Sequence, residues 1–138
     1  MIERTFSIIK PDAVAAGHAG EILSAIEKAG FKILALRMTR LSEKEAQGFY
    51  AVHREKPFFG GLVKFMTEGP IVVMALERED AVPKLREVMG ATNPANAAEG
   101  TIRKRFASSI ERNCIHGSDA PETARTELCY FFNSIDLL

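Results

Sequence analysis

The sequence has few cysteines, no excess of charge of either sign and no long apolar run. Lys plus Arg and Asp plus Glu each number 18 among 138 residues, so overall charge gives no reason to expect binding to nucleic acid or a membrane surface. No apolar run approaches the roughly 20 residues that span a bilayer. Charges at Glu3, Arg4 and Lys10 come too early for a signal-peptide core, which favours a cytoplasmic protein.

The two cysteines, Cys114 and Cys129, favour the same compartment, because free thiols persist where disulfides are reduced. Cys114 lies two residues before a histidine, so a thiol nucleophile is one interpretation. Nothing nearby in the sequence would lower its pKa, and a small buried apolar thiol is the other interpretation.

The common nucleotide and metal signatures are also missing. There is no GxxxxGK[ST] loop, no GxGxxG turn, no CxxC pair and no HxxxH pair. The three histidines, His18, His53 and His116, are too scattered for their spacing to predict a metal site.

Hydrophobic periodicity predicts alternating strands and helices without a repeat or a flexible linker. Strands are predicted over 4–10, 31–41, 71–77 and 113–116, and helices over 18–30, 42–53, 56–70, 79–90, 101–110 and 121–132. The order β-α-β-α-α-β-α-α-β-α is typical of an α+β fold of the split β-α-β kind, with an antiparallel sheet covered by helices. We expect residues 1–138 to form a single domain.

Local patterns support several of these elements. Ser42 with Glu45 three residues later predicts a capping box at a helix start. Ile102, Phe106 and Ile110 recur every four residues and predict one apolar helix face. Residues 91–101, which connect the predicted helices 79–90 and 101–110, are rich in Asn, Ala, Gly and Pro. Long irregular connections in small domains are often functional.

Four charged residues lie at the margins of apolar faces or at element ends. Arg86 and Glu127 border the apolar faces of their helices, Lys10 ends a strand in register with apolar residues, and Arg103 starts a helix. Arg86 alone is equally explained by a long side chain that reaches solvent, and each of the four alone is weak evidence for a site. Together they supply three cations and a carboxylate in a chain with no net charge.

His116 is followed by residues that could serve a reactive imidazole. Gly117 would leave the ring uncrowded on one side, and Ser118 and Asp119 offer groups that could orient it. A lone histidine is more often structural or merely exposed, so this local pattern leaves both interpretations open.

Seven ordered blocks resemble the nucleoside diphosphate kinase family over essentially the whole chain. The blocks are "IIKPDAV" (8–14), "FYAVH" (49–53), "KPFFGGLVKFM" (56–66), "GPIVVMALE" (69–77), "MGATNPANA" (89–97), "GTIR" (100–103) and "NCIHGSD" (113–119). The resemblance implies a ferredoxin-like four-stranded antiparallel sheet. It also implies ping-pong transfer of a γ-phosphoryl group from a nucleoside triphosphate to a nucleoside diphosphate, with low base selectivity.

The resemblance further implies roles for matched residues. His116 would be the phosphorylated nucleophile, positioned and polarised by Ser118 and Glu127. Nucleotide binding would fall to Lys10, Tyr50, Phe58, Leu62, Arg86, Thr92, Arg103 and Asn113. Phe58 would stack on the base, and Lys10 and Asn113 would read the ribose hydroxyls.

Mg²⁺ is implied as a partner of the nucleotide, held mainly by its phosphates, and no protein metal ligands are expected. The family assembles as tetramers or hexamers built from dimers, so a homo-oligomer is implied, with no membrane and no specific nucleic acid as partner. One departure stands out: Arg105, preceded by Lys104, replaces an acid that is usual in the family, which predicts altered local ion pairing or subunit contact.

Overall fold

The computed structural model describes residues 1–137, so only Leu138 of the predicted domain lies outside the described residues. Its sheet comprises β1 (Ile2–Ile9), β2 (Lys32–Thr39), β3 (Ile71–Glu79) and β4 (Ile115–Gly117). The strand order is β2-β3-β1-β4, and each neighbouring pair is antiparallel. The predicted α+β class, with an antiparallel sheet covered by helices, is therefore confirmed.

Within residues 1–137, seven α-helices cover this sheet. They are α1 (Pro11–Ala15), α2 (Ala19–Lys28), α3 (Glu43–Phe49), α4 (Phe59–Met66), α5 (Ala81–Met89), α6 (Ile102–Phe106) and α7 (Pro121–Phe131). Short 3₁₀ turns occupy Ala51–His53, Pro94–Asn96 and Ser134–Leu137. Periodicity did not predict α1. Pro11, which follows the predicted strand 4–10, stands at the first position of this helix, where proline is favoured.

The sheet separates two apolar cores because strand side chains alternate between its faces. On β1, Phe6 and Ile8 belong to one core and Ile9 to the other. The apolar run on β3 alternates likewise, with Val73 in the same core as Phe6 and Ile8, and Met74 in the same core as Ile9. Much of each of these two central strands is thus buried on both faces, which suits the continuous apolar run of residues 71–76.

Helix α3 begins as its sequence predicted. The Ser42 hydroxyl accepts the backbone N–H of Glu45, and the Glu45 carboxylate accepts the backbone N–H of Ser42. This capping box supplies partners for N–H groups that the first turn of a helix leaves free. It fixes the start of the helix that ends beside the site described below.

Helix α6 is shorter than predicted. It ends at Phe106, where Ala107 is extended, and Ile110 is 50% exposed rather than part of an apolar helix face. The backbone N–H groups of Ser108 and Ser109 instead bond the carbonyl of Arg112, which forms a turn. Serines favour turns over helix interiors because their hydroxyls compete for backbone groups. Arg105 on this helix pairs with Glu21 at 3.0 Å.

Across the described residues, none of the helices combines the length and apolar character that crossing a bilayer requires.

Candidate active site

His116 is the middle residue of β4, and its side chain faces an aromatic wall. Its ring centroid lies 5.5 Å from that of Phe49 and 6.1 Å from that of Phe6. Tyr50 adds a third ring at 6.4 Å. These contacts restrict the tilt of the imidazole while its side chain stays partly exposed to the cleft.

A carboxylate fixes one edge of this imidazole. Nε2 of His116 lies 2.9 Å from Oε1 of Glu127, and the buried Ser118 hydroxyl donates to the same oxygen at 2.7 Å. In a neutral imidazole one nitrogen donates and the other accepts. With Nε2–H donating to Glu127, Nδ1 keeps its lone pair, and no residue within 1–137 hydrogen-bonds to it.

Gly117 was predicted to leave the imidazole of His116 uncrowded, but it makes room for a different group. It points to the opposite face of the sheet from His116, and a Cβ built there would lie 2.6 Å from Sδ of Met89 and 3.0 Å from Cδ2 of Leu85. The missing side chain therefore makes room for helix α5 and not for the imidazole. Strand alternation explains the difference, because successive side chains leave opposite faces.

Arg103 is a buried cation held entirely by backbone carbonyls. Its guanidinium donates to the carbonyls of Asn113, Gly90 and Ile115 at 3.3, 3.1 and 2.7 Å. Burial, with a smaller contribution from Arg86, lowers its pKa to about 10, so it remains charged at neutral pH. The fixed fork presents positive charge without needing to reorganise.

Lys10 follows the last residue of β1 and is also buried. Its ammonium donates to Oδ1 of Asn113 at 2.8 Å, although the two residues are 103 positions apart. Burial and then the charge of Arg103 lower its pKa to about 8. Lys10 is therefore a cation near neutral pH but loses its proton far earlier than an exposed lysine.

Arg86 is more loosely held than these two cations. Its Nη1 lies 3.0 Å from Oδ1 of Asp119, and both side chains are substantially exposed. Such a pair contributes at most about 1 kcal/mol, so an incoming anion competes for the guanidinium at little cost.

Two cavities meet at Thr92. The smaller, about 250 Å³, is lined by His116, Glu127, Arg86, Arg103 and Tyr50, among other residues. The larger, about 870 Å³, is lined by Lys10, Asn113, Phe58 and Leu62, among others. All the predicted site residues thus line one or the other cavity except Ser118, which is buried behind Glu127.

The lining of the larger cavity is mainly apolar, whereas polar and apolar surface contribute about equally to the smaller one. Phe58 is 52% exposed at the edge of the larger cavity, where a planar ligand could stack on its ring. A ligand reaching from Phe58 past Thr92 would place its other end beside His116. This is the arrangement that an aromatic base with a chain of anionic groups requires.

Several lining residues were missed by the sequence patterns. His53 lines the smaller cavity, and its Nδ1 is buried without a partner within residues 1–137, as is the hydroxyl of Tyr50. Ile110 and Arg112 line the larger cavity. Ile110 lies four residues after Phe106, and this spacing predicted a place on the apolar face of a helix. The helix ends at Phe106, which leaves Ile110 at the cavity.

Cys114 is fully buried next to this cleft. Burial, followed by the charge of Asp12, raises its pKa to about 12, and its backbone adopts a left-handed conformation with φ of 64°. A thiol that stays protonated is a poor nucleophile. The prediction of a small buried thiol is supported over that of a thiol nucleophile.

Comparisons with known proteins converge on one family. Residues 3–137 match the family model for nucleoside diphosphate kinase. The chain is 58% identical over 138 residues to a nucleoside diphosphate kinase of Nitratidesulfovibrio vulgaris (strain DP4), covering all of this chain and 99% of that protein. A relative from Nitrosospira multiformis is 60% identical over 136 residues, covering 99% and 96% of the two chains.

Solved structures give the same result. The Aquifex aeolicus nucleoside diphosphate kinase superposes with a TM-score of 0.98 at 43% identity, with full coverage of both chains. A halophilic nucleoside diphosphate kinase from Halobacterium salinarum, in complex with CDP, superposes with a TM-score of 0.95 at 40% identity, covering 100% of this chain and 92% of that one.

The contrast between the two cysteines is directly testable. We expect the exposed Cys129 to react with a thiol reagent under native conditions and the buried Cys114 to react only after unfolding. Measuring modified thiols by mass spectrometry, before and after urea, checks this. The Cys129→Ser variant should lose the native reaction; rapid native labelling of Cys114 would contradict the assignment of an inert thiol.

Proposed function

Because the chain belongs to the nucleoside diphosphate kinase family, we propose that it transfers the γ-phosphoryl group of a nucleoside triphosphate, typically ATP, to a nucleoside diphosphate through a phosphohistidine on His116. The observation that carries this proposal is the imidazole held by Glu127, whose carboxylate also accepts the Ser118 hydroxyl, with Nδ1 left as an acceptor in a cationic cavity. We infer that residues 1–138 form one catalytic domain.

The first half-reaction follows from the free lone pair on Nδ1. It attacks the γ-phosphorus, a new P–N bond forms, and the bond to the bridging oxygen breaks with its electrons passing to the departing diphosphate. The Nε2–H bond to Glu127 stays in place, so the phosphorylated imidazolium keeps an adjacent negative charge. In the second half-reaction a β-phosphate oxygen of another diphosphate attacks, and the P–N bond breaks.

Charge stabilisation is assigned to the cations and the hydroxyl that surround Nδ1. Phosphoryl transfer spreads negative charge over equatorial oxygens, and positioned donors supply most of the rate enhancement. Arg103 is buried and held by backbone carbonyls, whereas Arg86 can exchange its exposed pairing with Asp119 for a phosphate oxygen. Thr92 adds a hydroxyl where the two cavities meet. The Tyr50 hydroxyl and Nδ1 of His53 are buried without a partner within residues 1–137, and we assign them as further donors for phosphate oxygens, His53 in the tautomer protonated at Nδ1.

Base and ribose are assigned to the larger cavity. The half-exposed ring of Phe58 offers a stacking surface, and Leu62 lines the same space. Stacking tolerates any base because every base has a π-face, which predicts low base selectivity. Lys10 and Asn113, joined by their hydrogen bond, are placed to contact the ribose hydroxyls.

Mg²⁺ is proposed to arrive with the nucleotide, as part of the substrate. Mg²⁺ prefers oxygen ligands and is commonly held by substrate phosphates with few protein groups. Within residues 1–137, no cluster of three or more His, Cys, Asp or Glu side chains is placed to hold a metal ion. The bound ion would neutralise charge on the phosphates.

We propose that the protein forms a homo-oligomer, a tetramer or hexamer built from dimers, because one edge of its sheet exposes apolar side chains. Strand β2 is an edge strand, and Leu36 and Met38 on it are 49% and 60% exposed. An exposed apolar edge strand is a surface that proteins normally cover.

We further propose that the protein works in the cytoplasm, where nucleotides are held and free thiols such as Cys129 persist.

The covalent intermediate provides the most direct test. Incubation with γ-labelled ATP and Mg²⁺, followed by removal of free nucleotide, should leave acid-labile, alkali-stable label on the protein, and added GDP should release it as GTP. Phosphohistidine has this stability pattern because its P–N bond is cleaved on protonation.

Two variants make this result specific. His116→Gln should carry no label, whereas His18→Gln, which changes a histidine packed on Phe106 outside the two cavities, should label like the wild type. Equal labelling of His116→Gln would exclude the proposed intermediate. Release of label only as inorganic phosphate would indicate a hydrolase.

The depressed pKa of Lys10 predicts a pH limit. The pH dependence of kcat/KM reports groups of the free enzyme. Since Lys10 contributes positive charge only below its pKa, kcat/KM should fall as the pH rises through about 8. Steady-state rates across this range test the prediction. Lys10→Met should have low kcat/KM without this decline; a variant that retained the decline would remove Lys10 from the explanation.

The oligomer proposal is tested by light scattering. The wild type should have a mass several times that of one chain, and Met38→Glu should lower it, because a buried unpaired carboxylate opposes association. Val52→Glu places the same charge at an 82% exposed residue away from β2 and should leave the mass unchanged. A monomeric wild type, or an unchanged mass for Met38→Glu, would contradict the proposal.

A further inference from the structure

Asp12 on helix α1 holds the backbone of the segment that precedes β4. Its Oδ2 accepts the backbone N–H of Cys114 at 3.1 Å. The carbonyl of the same cysteine accepts the backbone N–H of Lys10 at 2.9 Å. Both backbone groups of Cys114 are therefore bonded to residues at the end of β1 and the start of α1.

The residue held in this way has an unfavourable backbone conformation. Cys114 has a φ of 64°, a region that costs free energy for a side chain other than glycine and persists only where surrounding contacts impose it. Its neighbours are Asn113, which binds the ammonium of Lys10, and Ile115, whose carbonyl accepts from Arg103. The Asp12 bond therefore acts on the conformation that places these groups.

The carboxylate also opposes the charge repulsion around Lys10. Burial, followed by the charge of Arg103, lowers the pKa of Lys10, whereas the charge of Asp12 raises it. Other charged groups line the same cavity as Lys10, namely Lys64, Glu68, Glu111 and Arg112. Among the groups that shift the pKa of Lys10, Asp12 is the one carboxylate within residues 1–137. The second oxygen of Asp12, Oδ1, is buried with no hydrogen-bond partner within the same residues.

We propose that Asp12 is a positioning residue for phosphoryl transfer, which fixes the turn at Cys114 through a hydrogen bond and keeps Lys10 cationic through its charge. This inference rests on the proposed role of Lys10 in nucleotide binding. It assigns Asp12 no contact with the nucleotide. The hydrogen bond and the charge make separate predictions, because asparagine retains an acceptor oxygen and loses the charge.

Two substitutions separate these effects. Asp12→Asn should keep kcat/KM near the wild-type value at about pH 6, where a lysine is still protonated. Its decline with rising pH should begin lower than in the wild type, since loss of the carboxylate lowers the pKa of Lys10. Asp12→Ala should show the same shifted decline and also lose about 10- to 100-fold in kcat/KM, because the N–H of Cys114 loses a charged acceptor.

The chain offers a matched control. Glu122 is the second residue of α7 and follows a proline, as Asp12 does in α1, but it is exposed. Glu122→Gln should have the wild-type pH profile. Thermal unfolding of each variant distinguishes positioning from stability, because a merely structural Asp12 would lower the unfolding temperature without moving the pH profile.

The outcomes also separate this inference from the proposed function. If Lys10→Met abolishes the pH-dependent decline while Asp12→Asn leaves it in the wild-type position, the inference is wrong and the role of Lys10 stands. If Lys10→Met leaves the decline intact, the role of Lys10 fails, and the proposed charge effect of Asp12 fails with it. A wild-type kcat/KM for Asp12→Ala would exclude the hydrogen-bond effect.

Discussion

The buried guanidinium of Arg103 holds together the segment on which the rest of the site depends. Strand β4 has three residues and pairs only with Ser7, Ile8 and Ile9 of β1. Such a short edge strand has few ladder bonds of its own. Arg103 adds bonds to the carbonyls on either side of Cys114 and to that of Gly90, at the end of α5. His116 therefore leaves the sheet from a backbone fixed by a cation that also belongs to the cleft.

The buried cations Arg103 and Lys10 are unfavourable for folding but leave positive charge in the cleft for a reaction on an anionic substrate. Taking Arg103 and Lys10 out of water is unfavourable, as their lowered pKa values indicate. The compensation comes mainly from hydrogen bonds to backbone and amide oxygens, and the charge of Asp12 adds to it at Lys10. The site thus keeps positive potential for an anionic substrate in a chain whose formal net charge is zero.

Elements with strong periodicity were predictable, and those set by distant contacts were not. The apolar run of β3 and the Ser42–Glu45 box identified their elements because burial and capping follow local rules. The early end of α6 did not follow from its four-residue spacing, since Ser108 and Ser109 form a turn with Arg112 instead. Gly117 was linked to the imidazole, although strand alternation directs it towards Met89 and Leu85.

The sequence alone predicted the four strands and most of the helices, the marginal position of charges such as Arg86 and Glu127, and the family motifs around His116. The tertiary structure decided which of these groups meet. It joined Lys10 to Asn113 and Asp12 to Cys114, each across more than 100 positions, and it turned Nε2 of His116 to Glu127. The reason is physical: periodicity reports which face of an element is apolar, whereas hydrogen-bond partners depend on how the sheet brings distant segments within about 3 Å of each other.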